Sequence, residues 1–150
     1  MAPSSGFPPL RVLPDEAAYR TYYERVCCGS PFTDSFGIVV YSRRSKFGHA
    51  FFESSKRDKN KDIFSPIRAE RIDWIAATLG DPQADHYQGW DGKRKRYDPN
   101  FRVSNAFGDF VVVTLVRAPS SDGNRTGEFW TAYVADNSIG KIRKGPQWRP

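Results

Sequence analysis

Hydrophobic and polar positions recur with a helical period early in this chain and a strand period late in it. Between Asp15 and Cys28, Ala18, Tyr19, Tyr22 and Val26 fall at helical spacing behind Asp15 and Glu16, and Gly29 follows as a stop, which predicts a first helix. "FGIVVYS" (36–42) and "HAFFES" (49–54) are β-branched and aromatic runs and predict two short strands joined by a basic turn. In "SPIRAERIDWIAATLGDP", Ser65 suits an N-cap and Pro66 the first turn. Ile67, Ile72, Ile75, Ala76 and Leu79 share one face, and Gly80 and Pro82 close the helix. Four later segments, "ADHYQGW", "RKRYDPNFRVS", "DFVVVTLVRA" and "EFWTAYVA", are rich in strand formers and separated by turn residues, predicting an antiparallel meander.

Amino-terminal helices followed by an antiparallel β-sheet make the expected class α+β, one sheet with helices on one face. At 150 residues the chain suits a single domain. Residues 1–14, with four prolines and Gly6, read as a flexible arm, leaving 15–150 as the folded unit. Aromatic residues make up 15% of the chain, so the core is expected to rest on Phe, Tyr and Trp.

Charge narrows the partners. The net charge of +6 and pI of about 9.5 favour polyanions. No apolar run approaches the roughly 18 residues of a membrane span, and no basic amphipathic helix argues for a membrane partner. The amino terminus lacks the pattern of a Sec signal peptide, and Cys27 and Cys28 are adjacent, too close for an unstrained disulfide. The expected location is a reducing cytoplasm, of the producing cell or of a target cell reached by another route. With two histidines, His49 and His86, and no C-x-x-C, neither a metal nor another cofactor is expected.

Two basic clusters carry the candidate chemistry. Arg43, Arg44, Lys46, Lys56, Arg57, Lys59 and Lys61 face only Glu53, Asp58 and Asp62 in the first; Lys93, Arg94, Lys95 and Arg96 form the second, beside Trp90 and Tyr97. Cations hold phosphate oxygens and rings stack on bases, so the combination suits single-stranded nucleic acid, although solvated hairpin turns have the same composition. His49 titrates near neutral pH and suits proton transfer in metal-independent phosphodiester cleavage; beside "AFF" it equally suits core packing. On a strand, Glu53 shares the His49 face, where it orients the imidazole, serves as base or is a solvated charge. Alternation in "FWTAYVA" puts Phe129, Thr131 and Tyr133 on one face, so two hydroxyls reach one cleft, though both are ordinary strand residues.

In order, the "GHAFF" segment, the helix ending "RIDWIAATLGDP", the hairpin through "KRKRY", the "DFVVVTLV" strand and the closing "EFWTAYVAD" resemble the barnase/EndoU/colicin/RelE-like (BECR) nuclease superfamily of phage-associated enzymes, over roughly residues 36–137. The resemblance implies a compact α+β RNase fold with the active site on its sheet. It assigns His49 as general acid or base and Thr131 and Tyr133 as phosphate contacts, with Arg68, Arg71 and the "KRKR" cations around the phosphate. Residues 1–35 and His86 find no counterpart.

The expected function is therefore a metal-independent endoribonuclease, a toxin or phage-delivered effector cleaving tRNA, mRNA or rRNA, with Trp90 or Tyr97 as a stacking platform and an antitoxin or immunity protein as a second partner. The rival is a non-catalytic nucleic-acid-binding module using the same basic and aromatic surface.

Overall fold

A computed structural model describes residues 7–54 and 61–150. Helix α1 (Glu16–Tyr22) starts where the Asp15 carboxylate accepts the Ala18 N–H, at 2.9 Å. It runs into a π-helical turn over Tyr23–Cys27, closed by the Cys28 N–H on the Tyr23 carbonyl. Tyr19, Tyr23 and Cys27 form the buried stripe, whereas Val26, expected on the apolar face, is exposed. Both cysteines are free thiols.

Strands β1 (Phe32–Thr33) and β2 (Val39–Tyr41) form a small hairpin. The expected strand over 49–54 is instead helix α2 (Lys46–Phe51) followed by the two-residue strand β3 (Phe52–Glu53). Phe47, Ala50 and Phe51, all fully buried, lie three and four residues apart, so the run read as extended has a helical buried face. β3 pairs with β4 (Ile63–Phe64) in a separate two-stranded sheet. Lys56, Arg57 and Lys59 of the first basic cluster lie outside the described residues.

The helix expected over 65–80 is two: α3 (Pro66–Ala69) and α4 (Ile72–Gly80). Ser65 caps α3 as expected. The helix breaks because the Glu70 carbonyl, which a continuous helix offers to Trp74, accepts the Arg11 N–H instead, and the Trp74 N–H turns to Arg71. Ile67 and Ala76, both expected on the apolar face, are exposed, since that face is centred on Ile72, Ile75 and Leu79. The amino-terminal arm lies against this break and is docked from Phe7 on. Phe7 packs edge-on against Trp74 and Phe107, the Pro8 carbonyl accepts the Trp74 indole N–H, and Arg11 pairs with Asp73 at 2.8 Å.

The four late segments form the expected meander: β5 (Asp85–Asp91), β6 (Arg96–Phe107), β7 (Phe110–Val116) and β8 (Thr126–Val134). Gly108, at φ +58°, gives the β6–β7 turn its left-handed backbone. The six-stranded sheet has the order β1-β2-β8-β7-β6-β5, and is antiparallel except where β2 runs parallel to β8. Its main core, including Phe110, Val112, Val116 and Phe129, packs against α1, α2 and α4. Contrary to the expectation of helices on one face, α5 (Ile139–Arg143) lies across the other, where Ile139 and Ile142 pack over Val103 and Val111. The chain then returns along β5, with Gln88 N–H on the Pro146 carbonyl and Trp148 N–H on that of His86, so the edge strand is covered. No helix among the described residues is long and apolar enough to cross a membrane.

Beneath this frame lies a fully buried ion pair. Arg102 of β6 donates from Nη1 to Asp34 at 2.6 Å, and the other Asp34 oxygen accepts the N–H groups of Phe36 and Ile38. Removing one partner strands the other charge without water. Asp34→Ala is expected to lower the unfolding free energy by about 3–5 kcal/mol in urea titrations, with part of the loss recovered in Asp34→Ala/Arg102→Met. A loss below about 1 kcal/mol would equate the pair with a surface bridge.

Candidate functional site

Because β2 pairs with β8 over Thr126, Gly127 and Glu128, no strand among the described residues continues along that edge of β8 beyond Glu128, and α2 and α3 lie there instead. Their polar side chains reach Trp130 and Tyr133, at one end of a cleft of about 1340 Å³ that opens on the α5 side of the sheet. Trp90, Lys93 and Tyr97 of the β5–β6 hairpin line its outer part, Phe101 and Val113 its floor, and Lys141 and Ile142 of α5 its far wall. Trp90 and Tyr97 meet edge-on at 5.1 Å with both rings exposed. Gly89 permits the floor: a Cβ there would stand 2.9 Å from the Cβ of Phe101.

A register shift sets the cleft's inner end. Val113 pairs with Thr131 but Thr114 pairs with Phe129, so Trp130 is the extra residue of a β-bulge. The bulge breaks the alternation expected of "FWTAYVA" at its start, while Thr131 and Tyr133, opposite Val113 and Val111, still share a face. Phe129 joins Ala132 in the helix-side core, Tyr133 packs on the opposite face, and Trp130 enters the cleft. Thr131 is buried, its hydroxyl has no hydrogen-bond partner, and it lies outside the cleft lining.

Around Trp130 stand Lys46, with its ammonium 3.4 Å from the ring centroid, His49 edge-on at 5.9 Å, and Phe101 edge-on at 5.3 Å. The carbonyls that α2 leaves unpaired at its carboxyl end accept cationic donors, His49 from Lys61 Nζ at 2.7 Å and Ala50 from Arg68 Nη1 at 3.3 Å. Arg68 also lies 5.5 Å above the Tyr133 ring and 3.8 Å from the Glu53 carboxylate. Glu53 therefore pairs with Arg68 and no longer shares a strand face with His49, which is helical. Burial, aided by the charges of Lys61, Lys46 and Arg68, lowers the His49 pKa to about 4. Burial likewise lowers Lys61 and Arg68 and raises the Tyr133 phenol.

Of the residues singled out in the sequence, His49, Tyr133, Trp90, Tyr97 and Lys93 line the cleft, and Lys46 and Arg68 flank it. Arg94, Lys95 and Arg96 are exposed on the hairpin, where Asp91 accepts the N–H groups of Lys93 and Arg94. Arg71 points elsewhere, to the Ile67 carbonyl, Glu70 and the Trp74 ring. His86 belongs to the Arg102 pocket: Nδ1 lies 2.8 Å from the Ser104 hydroxyl, its ring packs on Phe36 and Trp148, and burial with Arg102 lowers its pKa to about 4. Sequence reasoning missed Trp130 and Phe101 as cleft residues, since a bulge leaves no mark on hydropathy. It also passed over Lys61, one basic residue among seven.

Among the described residues no cluster of three or more His, Cys, Asp or Glu side chains could hold a metal ion. Compared with protein-family models, curated proteins and solved structures, the chain matches none.

Both histidines are expected to titrate far below the ordinary value near 6.5, with midpoints of about 4 in the imidazole NMR signals. The unfolded chain takes up these protons first, so the two rings make stability fall as pH drops from about 6.5 towards 4. A His49 midpoint at 6 or above would mean a hydrated ring.

Proposed function

We propose that the chain is a metal-independent endoribonuclease of the BECR type. The observation that carries this reading is geometric: an imidazole stands in an aromatic cleft, with Lys46 and Arg68 at the rings around it and Lys61 on its own carbonyl. In the reaction, a ring nitrogen of His49 takes the proton of a ribose 2′-hydroxyl while that oxygen forms a bond to phosphorus. The bond from phosphorus to the 5′-oxygen breaks, the leaving oxygen takes a proton from water, and the hydroxide so formed takes back the proton held by His49. The products carry 2′,3′-cyclic phosphate and 5′-hydroxyl ends. Lys46, Lys61 and Arg68 balance charge developing on the phosphate, the Tyr133 hydroxyl orients it, and Trp90 and Tyr97 stack flanking bases. Thr131 and Arg71, off the cleft, have no part in this scheme.

A second reading, a module that binds nucleic acid without cutting it, is favoured by the donors of Lys61 and Arg68 already bonded to α2 carbonyls. Incubation of the protein with total RNA in EDTA separates the two. Wild type is expected to cleave, and His49→Ala to lose about 10²–10⁴ in rate while keeping its fold and RNA affinity. For the free enzyme, kcat/KM stays level from neutral into mildly acidic pH and falls only towards the His49 pKa of about 4. Intact RNA with salt-sensitive binding, each phosphate contact adding about 0.7 to the salt slope, would replace the nuclease with the module.

A further inference from the structure

Trp130 offers more than a wall. It is an unpaired bulge residue only partly covered, and its indole has the cationic group at close range: Lys46 over its face, His49 and Phe101 edge-on. An ammonium 3.4 Å above the centroid occupies the surface that a stacked base would take. Lys46 is the first residue of α2, partly exposed, and its flexible four-carbon stem lets the ammonium leave the ring without moving the helix. A nucleic acid strand brings both things needed for that exchange: a phosphate for the ammonium and a flat π surface for the indole.

We propose that Trp130 is a stacking site for an unpaired nucleobase, covered by Lys46 in the free protein and uncovered when Lys46 transfers to a backbone phosphate. The inference rests on the ligand being nucleic acid, but not on its being cleaved. It makes the inner end of the cleft selective for unpaired segments, because in a duplex both faces of each internal base are already stacked. It also couples base and phosphate: the cation that leaves the ring is the one that binds the strand.

The test compares two 2′-O-methyl oligonucleotides of roughly eight nucleotides, which cannot be cut by 2′-hydroxyl attack, one bearing bases and one abasic at every position, by fluorescence anisotropy. Wild type is expected to bind the base-bearing strand about 5- to 150-fold more tightly. Trp130→Leu keeps its affinity for the abasic strand and loses much of that preference, and Trp130→Phe, which keeps a ring against Phe101, retains part of it and controls for folding. Lys46→Ala binds the abasic strand more weakly yet discriminates at least as well, since the indole has lost its occupant. An unchanged preference in Trp130→Leu, or a preference that falls in Lys46→Ala, overturns the proposal while leaving the nucleic-acid reading standing. Failure of wild type to bind either strand removes that reading, and the inference with it.

Discussion

A guanidinium with no exposed surface organises this fold. Arg102 lies on β6, deep in the sheet, and its partner Asp34 lies between β1 and β2 at the opposite edge. Desolvation lowers the Arg102 pKa, and the attraction of Asp34 works against it. Nε and Nη2 have no hydrogen-bond acceptor, and the Trp148 ring lies 5.0 Å from the guanidinium carbon. Arg102 thus ties the meander to two segments outside it: the β1–β2 turn, through a carboxylate, and the carboxyl-terminal strap, through an indole. The small β1–β2 hairpin contributes little pairing of its own, and its attachment to the body of the sheet leans on that carboxylate.

The cleft follows from how short that hairpin is. A longer β2 would have paired with the rest of β8 and excluded α2 and α3 from its edge. Three residues of pairing leave room for a six-residue helix whose buried phenylalanines face the core and whose His49 reaches the opposite side. Cations are required there for structural reasons, since so short a helix leaves carbonyls that Lys61 and Arg68 satisfy. The same groups supply the positive end of the cleft.

The elements legible in the sequence are those marked by local composition. β5 to β8 follow from runs of strand-forming residues and the turn residues between them, and α3 begins at the Ser65 cap read from "SPIR". The misread elements are those decided by distant contacts. The aromatic run "HAFF" is helical because Phe47, Ala50 and Phe51 converge on Tyr23 and Phe129, and the long helix breaks where Arg11 claims a carbonyl. His49 and Tyr133 were legible as residue types suited to phosphate chemistry. Trp130 was not, because one bulge exchanged the faces of the strand that carries it.

Both histidines are held neutral by burial, one beside the cationic cluster and one beside Arg102. Histidine is the side chain that ordinarily changes charge between about pH 5 and 8. In this protein neither does, so the formal charge of +6 keeps its size from neutral surroundings into a mildly acidic compartment. The electrostatic field that gathers a polyanion is therefore buffered against acidity, and salt becomes the variable that tunes it.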